Sequence, residues 1–140
     1  FSIVLEDLSQ VGTYTGYISS FAYRTMKRLL PGPYTFIVEA SSLIPKLMKT
    51  KRRSIGIRIP DCPIAQAIAH QLGRPLVATT IGDSEQDYSE PKSLYEEFGN
   101  EVDLVVDGGP IWGDPSSVVD LRGSVPEVIR EGAGDVSLFL

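Results

Sequence analysis

The residues of this 140-residue chain best suited to chemistry are hydroxyls, glycines and a few arginines at the ends of predicted strands. Arg58 is the most informative. In Ser54-Ile55-Gly56-Ile57-Arg58-Ile59, strict alternation puts the isoleucines on one face and Ser54, Gly56 and Arg58 on the other. A glycine on that second face permits close approach to the backbone. Two readings of Arg58 stand open. On a half-buried strand it faces solvent. If the face lines a cleft, Arg58 and Ser54 point into it together, and a guanidinium fork suits a carboxylate or a phosphate. Thr79, Thr80, Ser116 and Ser117 could add neutral hydrogen bonds to the same ligand. Arg130, ending the last predicted strand beside Gly132 and Gly134, either contacts phosphate or flanks a turn.

Other chemistries are excluded. The chain has no GxxxxGK[ST] phosphate loop, and Gly132-Ala133-Gly134 is half of a dinucleotide fingerprint without the helix that must follow it. Cys62 and His70 lie eight residues apart on one predicted helix, about 12 Å along its axis at 1.5 Å per residue, too far for a nucleophile–base pair. His70 shares the polar helix face with Gln66 and reads as solvated. Cys62, at the helix start, is either an activated thiol or a half-buried structural one. A single cysteine rules out a disulfide within the chain, and one histidine beside it leaves too few ligands for structural zinc. No metal ligands and no catalytic nucleophile are assigned.

The elements that must position these residues follow from periodicity and breakers. Ser2–Leu5 is a predicted strand, with Asp7 capping a short helix through Gln10 and Val11. A helix starting at Ser19 or Ser20 buries Phe21, Ala22, Met26, Leu29 and Leu30 and ends at Pro31. Pro31-Gly32-Pro33 is a stiff turn into a strand from Tyr34 to Glu39. After the isoleucine strand, Asp61 caps a helix whose buried side is Ile64, Ile68 and Leu72 with Ala65 and Ala69, closed by Gly73. Leu76–Thr79 is predicted as a short buried strand and residues 81–92 as loop. Ser93-Leu94-Tyr95-Glu96 reads as a capping box. Strands at Val102–Val106, Val118–Leu121 and Val128–Arg130 complete an α/β chain with a mixed sheet and no internal linker.

Length and composition agree with one soluble domain: 42% hydrophobic, 22% charged residues, and no apolar run of the ~18–20 residues a membrane span needs. No signal peptide opens the chain, whose first residue is Phe1 rather than Met, as expected of a processed or partial product. The net charge of −5 hides a division. Residues 1–75 carry ten Lys+Arg and four Asp+Glu; residues 76–140 carry three and fourteen. Either the basic half meets anions or it is ordinary solvated surface.

Six segments, in order, resemble successive blocks of the YrdC/YciO family. They are Pro31-Gly32-Pro33-Tyr34-Thr35, Ser54-Ile55-Gly56-Ile57-Arg58-Ile59-Pro60, Leu72-Gly73-Arg74-Pro75-Leu76, Gly108-Gly109, Pro115-Ser116-Ser117-Val118-Val119-Asp120 and Ile129-Arg130-Glu131-Gly132. Together they cover roughly residues 25–135. The wording of Leu5–Ser9, Pro63–Ala67 and Arg130–Asp135 is closer to the YciO branch.

The resemblance implies a twisted mixed sheet flanked by helices around an open basic cavity, in a cytoplasmic protein spanning residues 1–140 as an N-terminally truncated domain. Characterised relatives are L-threonylcarbamoyladenylate synthases, nucleotidyltransferases that join ATP, L-threonine and bicarbonate toward threonylcarbamoyladenosine in tRNA. Carried over, Ser54, Thr80 and Arg130 contact ATP, which brings Mg²⁺ as its counterion and is not tightly bound. Arg58, Thr79, Ser116 and Ser117 contact threonine. Thr79-Thr80-Ile81-Gly82 departs from the family's Thr-Ser-Ala-Asn, and Ser117 stands for threonine. The family's N-terminal Lys-x-Arg block is not found, and each charge-assisted contact of that kind is worth about 1.5–3 kcal/mol. The 140 residues alone are therefore expected to show little or no synthase activity. The alternative implied by the family is a module binding tRNA or double-stranded RNA through Lys49, Lys51, Arg52 and Arg53. The net acidic charge and the lack of aromatic–basic interleaving count against it.

Overall fold

A computed structural model describes residues 1–44, 53–81 and 88–140. They form two compact units, Phe1–Thr79 with Pro115–Leu140, and Thr80–Asp114. The first contains strands β1 (Ser2–Val4), β2 (Tyr34–Glu39), β3 (Ser54–Arg58), β4 (Leu76–Ala78), β5 (Ser117–Asp120) and β6 (Glu127–Arg130). Its helices are α1 (Val11–Tyr14), α2 (Ser20–Leu29) and α3 (Pro63–Leu72), with single 3₁₀ turns at Leu8–Gln10 and Ser137–Phe139. The second unit carries α4 (Pro91–Phe98).

The six strands make one sheet in the order β4-β1-β3-β2-β5-β6. β1 runs parallel to β3 and β2 parallel to β5; the other pairs are antiparallel. The predicted α/β class and mixed sheet are borne out.

Alternation turns one face into the core. Phe36 sits in register with Ile57 on one side and Val119 on the other, and all three are fully buried. Tyr34, Val38, Ile55 and Ile59 extend this layer, and Ala22 and Met26 of α2 cover it with Val11 of α1. Each such side chain contributes about 1.5–3 kcal/mol by leaving water. The predicted start of α2 holds, since Ser19 Oγ accepts the Ala22 N–H at 3.0 Å. Asp7 likewise accepts from Ser9 N–H at 2.8 Å at the head of the first 3₁₀ turn. Gly73 ends α3 at φ +68°, where a side chain would be strained.

Six local expectations are corrected. Phe21 is half exposed, because the buried line of α2 runs through Ala22, Thr25 and Met26. On α3 the Ile64, Ile68 and Leu72 stripe is also half exposed and the small Ala69 faces inward. Both helices are amphipathic as expected; which flank of the apolar arc meets the protein was set by packing. Cys62, not Asp61, caps α3, because Pro63 occupies the first helical position, and Pro91 likewise starts α4 two residues before Ser93. β4 is an edge strand with Val77 59% exposed, so its short apolar run does not mark two-sided burial. Residues 102–106 form no strand: Leu104 is exposed, and alternation without a ladder partner does not make one.

Candidate anion-binding site

The sheet face opposite the core carries the candidate site. Ser2 and Ile37 flank Gly56 in register, and Arg58 lies two residues further along β3 beside Val4. The expected close approach to Gly56 is made by the protein's own side chains. A Cβ there would lie 3.0 Å from Thr35 Cγ2 and 3.1 Å from Ser2 Cβ. Continuing the β2–β3 register one step past Phe36–Ile57 sets Arg58 beside Thr35.

Thr35 joins the site by a hydroxyl pair: its Oγ1 lies 2.8 Å from Ser116 Oγ. Arg130 completes the cluster, donating from Nε (3.1 Å) and Nη2 (2.7 Å) to the Ser116 carbonyl. A bulge puts it there. Val118 pairs with Arg130 but Val119 with Val128, so Ile129 is an extra residue that re-aims the end of β6.

The electrostatics are one-sided. Arg58 is half-buried, and burial first, then the charge of Arg130, lower its pKa from the ordinary value. A guanidinium stays protonated through such a shift, so the charge is held at a cost. Among the described residues neither Arg58 nor Arg130 takes part in an ion pair; the pairs are His70–Glu6, Lys92–Glu96 and Arg122–Asp120. Two cations with no facing carboxylate and two hydroxyls between them suit an anion that supplies the missing charge.

The structure thus brings together Arg58, Ser116 and Arg130, with Thr35, which the sequence reading did not single out. Its signal was a polar residue inside the apolar run Tyr34-Thr35-Phe36-Ile37-Val38. Ser54 shares the face but stands four residues from Arg58, about 13 Å at ~3.3 Å per residue. Thr79 follows β4 and is exposed; exposed Thr80 belongs to the second unit. Ser117 is fully buried on the core side, in register with Tyr34. His70 is exposed, as expected, and its Nδ1 meets Glu6 Oε1 at 2.6 Å.

Of the residues assigned to RNA, Lys49, Lys51 and Arg52 lie outside the described residues. Arg53 precedes β3, at the end away from Arg58. It lines a separate cleft of about 360 Å³ with Tyr17, Ile18, Ala22, Glu39 and Arg122. Among the described residues no cluster of His, Cys, Asp or Glu could hold a metal ion, and no helix is long and apolar enough to cross a membrane.

A mixed sheet with one apolar face and, on the other, two guanidiniums outside any ion pair among the described residues, with a hydroxyl pair alongside, defines an α/β domain with a cationic ligand patch. The chain belongs to the Sua5/YciO/YrdC family, whose model, described as "Telomere recombination", matches residues 1–132. It is 39% identical to "Uncharacterized protein YciO" of Escherichia coli K12 over all of this chain and 69% of that protein. The crystal structure of E. coli YciO superposes with a TM-score of 0.91 at 38% identity, over 100% of this chain and 69% of that one. The threonylcarbamoyl-AMP synthase of Bos taurus is 37% identical over 76% of this chain and 42% of its own length. P. abyssi Sua5, whose crystal structure was solved in complex with L-threonine, superposes with a TM-score of 0.85 at 25% identity, over 93% of this chain and 39% of that one.

Proposed function

We propose that the Arg58–Thr35–Ser116–Arg130 cluster holds the anionic groups of L-threonine and ATP for a threonylcarbamoyl-AMP synthase reaction, which these 140 residues alone carry out little or not at all. Threonine's amine is carboxylated by bicarbonate with loss of water. A carbamate oxygen then attacks the α-phosphorus of ATP, and the bond to the bridging oxygen breaks to release pyrophosphate. Arg58 pairs with the threonine carboxylate, and Ser116 and Thr79 add hydrogen bonds. Arg130 meets phosphate charge, with Ser54 on the nucleotide and Mg²⁺ arriving with ATP. No protein nucleophile is needed, because the work is positioning two anions and stabilising the charge that develops on phosphorus.

The observation that carries this reading is Arg58, half-buried beside a second arginine with no ion-pair partner among the described residues. It is supported by the synthase relatives and by the P. abyssi Sua5 complex with L-threonine. The test is titration of the chain with L-threonine and with Mg·ATP, alongside pyrophosphate release with bicarbonate present. Saturable threonine binding that Arg58→Ala abolishes is the expected result. Equal binding by the two proteins, or none by the parent, overturns the proposal.

A further inference from the structure

The loop after β6 is tied at three places to the starts of β2 and β5. Ser117 Oγ donates to the Gly134 carbonyl at 2.6 Å and accepts the Gly132 N–H at 3.0 Å. The Ala133 N–H donates to the Pro115 carbonyl at 2.9 Å. The Tyr34 hydroxyl donates to the Asp135 carbonyl at 3.0 Å, and its ring lies so close to Gly134 that a Cβ there would fall 2.5 Å from it. Gly132 is equally tight, its absent Cβ being 2.2 Å from the Pro115 carbonyl oxygen. Arg130 stands two residues before Gly132, with its fork on Ser116, one residue before Ser117.

We propose that Ser117 is a positioning residue. Its buried hydroxyl, acting through Gly132 and Gly134, holds Arg130 on the Ser116 carbonyl and makes no contact of its own with the bound anion. That Arg130 then serves an anion rests on the functional reading above; the staple itself does not.

Three observations carry it. Ser117 is fully buried on the core face, whereas Thr35 lies on the opposite one. Its single O–H is spent on Gly134 and its oxygen already accepts from Gly132. The residues it ties flank Arg130 in sequence and Ser116 in space. An arginine otherwise loses much rotamer freedom when it captures a ligand; one already ordered through Nε and Nη2 loses less, and Nη1 is free of bonds among the described residues.

The experiment compares the parent chain with Ser117→Ala and Ser117→Thr, using inorganic pyrophosphate and L-threonine as probes. It reads the Arg130 Nε–H resonance and amide hydrogen exchange at Gly132 and Ala133. Ser117→Ala is expected to speed exchange at both amides by about tenfold or more, shift the Arg130 resonance and weaken pyrophosphate binding about tenfold, with the β2–β3 amides unmoved. Ser117→Thr is expected to stay within about twofold of the parent on every readout. An unchanged Arg130 resonance and unchanged exchange in Ser117→Ala overturn the staple. Weakened threonine binding with both unchanged overturns it in favour of direct contact. If the parent binds neither probe, the functional reading fails while resonance and exchange still decide the staple. Should Ser117→Ala not fold, Tyr34→Phe removes one bond from the same loop. It is expected to shift the Arg130 resonance and weaken pyrophosphate binding about two- to fivefold, and no change in either overturns the proposal.

Discussion

Arg130 rests its guanidinium on the backbone carbonyl of Ser116, with Nε at 3.1 Å and Nη2 at 2.7 Å. The link joins the end of the sixth strand to the residue before the fifth, and through Ser116 Oγ it reaches Thr35 on the second. A cation fixed by a neutral carbonyl keeps its full charge for a ligand. Here that charge also bears on Arg58.

The charge of Arg58 should therefore work against the unliganded fold. Burial and Arg130 both lower its pKa, so the fold disfavours the charged form at every pH below that value, including neutral pH; the penalty is relieved only in strong alkali. Arg58→Met is expected to raise the melting temperature by about 1–4 °C while removing the stabilisation that saturating L-threonine confers on the parent. Differential scanning fluorimetry with and without ligand checks both. A lowered melting temperature in the unliganded variant would count against an uncompensated charge.

Arg122 and Asp120 make an ion pair of 2.5 Å that opens toward solvent. The Arg122 hydrogen bond is the main reason Asp120 titrates below its ordinary value. A carboxylate with a depressed folded pKa stabilises above its unfolded pKa and loses that contribution as pH falls through the folded one. Arg122→Met is expected to cost about 1 kcal/mol or less at pH 7, and the difference should vanish as pH falls through and below the ordinary aspartate range. Urea titrations across that range measure it.

Gly132 has no room for a methyl group, the nearest atom being backbone at 2.2 Å. Gly132→Ala is expected to destabilise by about 1–3 kcal/mol, since backbone must shift to admit it. Chemical denaturation gives the value, and a cost below about 0.5 kcal/mol would mean the loop is not held as described.

The third helix offers a paired test of which flank faces inward. Ile68 is 40% exposed and Ala69 only 2%. Ile68→Ser should cost about 1 kcal/mol or less, while Ala69→Leu should cost about 1–3 kcal/mol through overpacking. The reverse order would restore the isoleucine stripe as the buried one.

Much of the fold was legible because it is local. Alternation through Ser54–Ile59 placed the isoleucines on the core and Arg58 opposite them, and that is how they lie. Ser19, Pro31 and Gly73 marked helix ends through capping, a missing N–H and a left-handed backbone, none of which depends on distant residues. The ordered blocks identified the family, and within them Arg58, Ser116 and Arg130 were already candidates.

What remained hidden depends on long-range partners. Periodicity shows that α3 has an apolar arc, but the neighbour decides which flank is buried. Composition makes Leu76–Ala78 a strand, but only its place in the sheet makes it an edge. Thr35 became part of the site because β2 lies between β3 and β5, bringing a hydroxyl from residue 35 within 2.8 Å of one from residue 116. Neighbouring Ser116 and Ser117 look equivalent in sequence; the pleat sends Ser117 to the core, while Ser116 meets Thr35 and Arg130. By itself the sequence determined the family, the alternating strands and the charged residues available. The tertiary structure decided which of them meet, because pairing register and a one-residue bulge set side-chain direction, and neither can be read from a single segment.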